Sequence, residues 1–76
     1  MKEMIEHIVK ALVDHPDEVR VNELAGERTL TYEVKVVQGD QGKIIGRQGH
    51  TIDAIRSIVM AAARKLNKHA TLDLID

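Results

Sequence analysis

Apolar residues at Ile5, Ile8, Val9 and Leu12 recur at i, i+3, i+4 and i+7, so the chain opens with a predicted amphipathic helix over residues 2–14, stopped by His15-Pro16. A weaker strand signal covers residues 17–24 and rests on Val19 and Val21, and Ala25-Gly26-Glu27-Arg28 supplies the glycine that a hairpin connection uses. At Thr29 the period changes to two. Leu30, Tyr32, Val34 and Val36 alternate with Thr31, Glu33 and Lys35, which predicts a half-buried strand over residues 29–37. Gln38-Gly39-Asp40 ends it, and Asp40 stands where a side-chain cap would start a short helix through Lys43, Ile44 and Ile45. Gly46 terminates that helix. A long helix is predicted from Gly49 to about residue 67, with Ile52, Ile55, Val59, Ala62 and Leu66 on its buried stripe. A last strand over residues 70–75 turns Ala70, Leu72 and Leu74 to one face. The expected fold is α+β, in the order α-β-β-α-α-β, with a three-stranded sheet packed on helices in one domain over residues 1–76.

The most apolar stretch of the chain is interrupted by Gly46-Arg47-Gln48-Gly49. A four-residue turn between two helices needs a residue free to take positive φ, and glycine does so without a Cβ clash. One glycine suffices for that. The second, Gly49, clears space beside the first N–H groups of the following helix, which lack intrahelical acceptors and lie at the positive end of the helix dipole. Such an end accepts phosphate. Arg47 adds a cation, Gln48 a neutral donor and Lys43 a second cation one turn upstream, while the loop holds no acid. A Walker A reading of Gly42-Lys43 fails, because it needs glycine at position 37 and a hydroxyl side chain at 44, where the chain has Val37 and Ile44.

Charge separates the two halves. Residues 1–41 hold five Lys/Arg against nine Asp/Glu, whereas residues 42–76 hold six against three, so the basic half is the one that carries the glycine loop. No apolar run approaches the ~20 residues of a membrane-spanning helix, and with no cysteine there is neither a disulfide framework nor a thiolate metal site. A cytoplasmic protein is expected. Tyr32 is the only aromatic residue and shares a face with Leu30 and Val34, which assigns it to the core and leaves no aromatic platform for base stacking. Any base recognition then falls to aliphatic contact and backbone hydrogen bonds, and it should be weak and tolerant.

The run Gly42-Lys43-Ile44-Ile45-Gly46-Arg47-Gln48-Gly49 followed by Ile52 resembles the core signature of KH domains, an Ile-Gly-x-x-Gly loop between two helices. The element order is similar to the type II arrangement, and residues 46–56 look like those of the small bacterial single-KH RNA-binding proteins of the KhpA family. That resemblance implies a narrow groove for about four nucleotides of single-stranded RNA. It implies phosphate contacts along Gly46, Arg47, Gln48 and Gly49, with charge from Lys43. Ile44, Ile45 and Ile52 are placed either in the apolar groove or in the core beneath it, and Arg56 at the ligand edge or in solvent. His50, beside the loop, is either a further cation at mildly acidic pH or a solvated side chain. The resemblance further implies post-transcriptional control of cellular RNAs, with a second copy or a larger KhpB-type KH-containing protein as partner.

Two function classes follow: a single-stranded RNA-binding module, and a protein-interaction scaffold that keeps the same fold. On the long helix, Ile58 falls about 80° to one side of the buried stripe. With Ala54 and Ala61 it forms an apolar strip that suits a twofold dimer interface or a widened core. Catalysis has little material: Ser57 is the only serine and has no histidine at helical spacing. An Asp14-His15-Asp17 metal site would have to close across a proline turn. No catalytic residue, metal or cofactor is expected.

Overall fold

The computed structural model describes residues 1–75. Helix α1 (Lys2–Leu12) buries Ile5 and Val9 and packs Met4 and Ile8 at the margin of the core. It ends with the last periodic residue, two short of the predicted end at residue 14, because Val13 already has extended backbone (φ −101°, ψ 162°) and a 3-10 turn follows over Pro16–Glu18. Proline disfavours helical backbone at the residue before it, so the chain must leave the helix upstream. Asp17 and Glu18 therefore belong to that turn and not to the predicted strand. Strand β1 (Arg20–Ala25) begins after it, and the two valines that carried the strand signal, Val19 and Val21, are both buried.

Strand β2 (Thr29–Lys35) returns antiparallel to β1, with Val21 opposite Val34 and Glu23 opposite Tyr32. Leu30, Tyr32 and Val34 face the helices and are buried, as the alternation requires. Tyr32 is fully enclosed and donates its hydroxyl to Glu23 Oε2 at 2.5 Å. Burial first, then the bond to Glu23 and its charge, raise the Tyr32 pKa well above the ordinary phenol value. The phenol stays neutral, as an acid neighbour and a dry site demand.

β2 ends at Lys35 and not at Val37, and a 3-10 turn (Gln38–Asp40) leads into helix α2 (Gln41–Ile45). Helix α3 (His50–Arg64) then carries the chain back along the sheet, and strand β3 (His69–Ile75) pairs parallel to β2, with Thr29 opposite His69 and Val34 opposite Leu74. A parallel neighbour needs a crossover connection, and the α2-loop-α3 unit supplies it. The sheet order is β1-β2-β3. α3 ends three residues earlier than its periodicity suggests: Asn67 turns left-handed (φ 57°), and the Lys68 N–H closes on the Ala63 carbonyl at 3.0 Å. Ala63 consequently takes the buried place expected of Ala62, which is half-buried, and Leu66 is 58% exposed. No helix among the described residues is long and apolar enough to cross a membrane.

Candidate nucleic-acid interface

The turn between α2 and α3 uses positive φ at three of its four positions: Gly46 (75°), Gln48 (56°) and Gly49 (76°). At Gly46 a Cβ would collide with the Thr51 side chain and lie 2.9 Å from the Thr51 nitrogen, so packing as well as backbone excludes any other residue. Gly49 is different. It is left-handed, yet a Cβ there would meet nothing within 4 Å, so the space above it is open. Gly49 is also the residue preceding α3, and no side chain caps that helix. The loop's own carbonyls take the first N–H groups, Gly49 on Gly46 at 3.2 Å and His50 on Arg47, so α3 starts without a side-chain cap beside an unobstructed backbone, with Arg47, Gln48 and His50 exposed around it. An anion can approach that end without displacing a capping side chain.

A groove of about 360 Å³ adjoins the loop, with Ile45, Ile52 and Leu74 as its apolar lining and Gln41, Arg56 and Asp73 as its polar one. Ile45 is 41% exposed and Ile52 7%, so the first is a wall and the second a floor. Ile44 lies wholly in the core and supports the groove from beneath. Gln41 and Ile45 stand one helical turn apart on the same face of α2. Lys43 falls about 160° from both, on the opposite face. There its Nζ pairs with Asp14 at 3.3 Å, on the segment that follows α1. Lys43 is thereby held away from the groove that it would have charged.

Arg56 crosses from α3 to the free edge of β3. Its Nε donates to the Leu72 carbonyl at 2.9 Å, and its guanidinium nitrogens lie 3.3 Å from Asp53 Oδ1 and 3.8 Å from Asp73 Oδ1. Beyond it the groove continues as a second cavity of about 220 Å³ against Val59, Met60 and Ala70. Arg56 is therefore a strut of the groove as well as its nearest cation. Leu74 and Gln41 were not singled out from sequence. A one-turn spacing from Ile45 was the available signal for Gln41, whereas Leu74 read simply as core.

Asp40 does not cap α2. Its buried carboxylate turns back 25 positions along the chain to His15, accepting the backbone N–H at 3.0 Å and meeting Nδ1 at 3.1 Å. Burial alone would raise the Asp40 pKa, but the bonds from His15 and from the Asp14 backbone outweigh it and hold the carboxyl below its ordinary value. On α3, Ile58 is half exposed, and Ala54 and Ala61 are exposed beside it. Ile58 and Arg56 point about 160° apart, so this strip and the groove occupy opposite flanks of one helix. Among the described residues no group of three His, Cys, Asp or Glu side chains could hold a metal ion.

A family profile described as "KhpA/KhpB, KH domain" matches residues 2–74. Proteins named RNA-binding protein KhpA are similar over essentially the whole length of both chains. The one from Halalkalibacterium halodurans is 51% identical over 76 residues, covering all of each protein. The one from Clostridium acetobutylicum is 48% identical over 75 residues, 99% of this chain and all of the relative. The one from Chlamydia pneumoniae is 43% identical over 76 residues, all of this chain and 97% of the relative. No solved structure matches significantly. With an α-β-β-α-α-β fold, a two-glycine loop at its expected place and this full-length similarity, the chain belongs to the KhpA/KhpB family of KH domains.

Proposed function

We propose that the protein binds short single-stranded RNA segments, with the phosphates along Gly46–Gly49 and the bases in the groove of Ile45, Ile52 and Leu74. The reading is carried by the open backbone at Gly49, where α3 starts without a side-chain cap next to a cleft that Ile45, Ile52 and Leu74 share with Gln41, Arg56 and Asp73. The names of its relatives support it. Contacts of this kind grip phosphate and exclude water from base faces without a stacking platform, which gives weak binding with broad sequence tolerance. The protein acts in post-transcriptional regulation, as a homodimer through the Ile58 strip or joined to a KhpB-type KH-containing protein. A dimer brings two weak grooves to one RNA and raises their joint affinity through effective concentration.

The double substitution Arg47→Asp with Gln48→Asp tests the site. Both side chains are exposed, so the fold should persist by circular dichroism. Two carboxylates at the helix N-terminus repel phosphate, and affinity for a single-stranded RNA should fall by about tenfold or more. A folded double variant that binds as tightly as the parent would move the site elsewhere. A parent chain with no RNA affinity would favour the scaffold reading.

A further inference from the structure

Asp40 is the only buried charged side chain among the described residues, 2% exposed, and it stands immediately before α2. α2 has five residues, too few to hold itself as a helix, so its position depends on what grips its ends. At its far end the Gly46 N–H closes on the Gly42 carbonyl at 2.9 Å. At its near end the grip comes from outside. Asp40 Oδ2 takes both the His15 backbone N–H at 3.0 Å and the His15 Nδ1 at 3.1 Å, and Lys43 reaches Asp14 at 3.3 Å on the same segment. A buried carboxylate stripped of donors is costly, so these bonds resist any displacement of residue 40 from residue 15.

The segment that carries His15 lies behind α2, since Lys43, which pairs with the adjacent Asp14, points away from the groove. Through α2, the position of Asp40 sets where the loop at 46–49 begins. We propose that His15 and Asp40 form a rear latch that positions α2 and the glycine loop for phosphate, with His15 acting as a positioning residue that never touches RNA. This inference rests on the RNA-binding reading of the loop.

Two substitutions at one position separate the hydrogen bond from mere packing. His15→Ala removes the side-chain donor and leaves the backbone donors of His15 and Asp14. His15→Asn restores an N–H the same number of bonds from Cα as Nδ1. The His15 side chain is 60% exposed, so neither change opens the core. The latch predicts that His15→Ala lowers affinity for a labelled single-stranded RNA of mixed sequence by about tenfold, the scale of one hydrogen bond to a charged group. It also predicts that His15→Asn stays within about twofold of the parent, because the donor is retained. Backbone amide signals of Gly46 and Gly49 should move in His15→Ala and return toward their parent positions in His15→Asn.

Parent-like affinity in His15→Ala would overturn the latch, as would equal loss in both variants. The Arg47→Asp, Gln48→Asp protein is measured alongside. If it retains parent affinity, the site reading itself is wrong. If it loses affinity while His15→Ala does not, only the latch is wrong.

Discussion

Gly46 and Gly49 share a positive φ but not their surroundings, and substitution should separate the two costs. At Gly49 an alanine would meet no neighbour, so Gly49→Ala should cost only the left-handed backbone, about 1–2 kcal/mol. Gly46→Ala adds a collision with Thr51, and its loss should exceed that of Gly49→Ala by about 1–3 kcal/mol. Urea unfolding of the two variants checks the order, and equal losses would contradict the packing at Gly46. Asp40 makes a prediction in pH. Its folded pKa lies below the unfolded value, so the stability it contributes is fully present above the unfolded carboxyl pKa and disappears as pH falls through the folded one. Acid titration of parent and Asp40→Asn should therefore show their stabilities converging at low pH, and a gap that persists unchanged in acid would refute the ionised latch. The sequence displayed both glycines and their spacing plainly. It could not display the partner of Asp40, because that bond spans 25 residues and a side chain at a helix start looks like a cap from its neighbours alone.

α3 shows how far periodicity carries. Ile52, Ile55 and Val59 were legible as core from their spacing, and they are buried. The pattern misjudged the last turn, where Ala62 and Leu66 were expected inside, because the left-handed Asn67 that ends the helix has no periodic signature. Nearness to the loop and the KH resemblance made Lys43 a cation for phosphate, since only the placement of the segment after α1 reveals Asp14 as its partner. On the outer flank, Ile58→Asp should give a folded monomer whose own groove is intact, because the strip lies on the opposite flank, yet whose RNA binding is weaker than the parent's because the second groove is lost. Sedimentation at tens of micromolar is the measurement. A parent already monomeric there would end the dimer proposal. Strand β3 is an edge, and Arg56 covers its Leu72 carbonyl, which blunts one point of an otherwise exposed row of backbone groups.

For the molecule as a whole, the formal net charge of −1 makes local charge decide RNA affinity. A groove for about four nucleotides neutralises about three or four phosphates, so the log–log salt slope of one protomer should be about −2 to −3. A much steeper slope would indicate a long basic surface and not a groove. The parallel pairing of β2 with β3 carries a kinetic consequence. Thr29 meets His69, so the two strands can join only after a forty-residue segment containing the loop and α3 has been closed. Such non-local pairing is formed late on average, because loop entropy must be overcome before any contact rewards it. The hairpin of β1 and β2 can assemble early, whereas the β3 wall of the groove waits for nearly complete folding. Leu72→Ala should accordingly speed unfolding in a chevron experiment far more than it slows refolding. The proposed recognition surface then has no independent existence in partly folded chains: a nascent molecule carries its glycine loop in sequence long before the groove beside it has a wall.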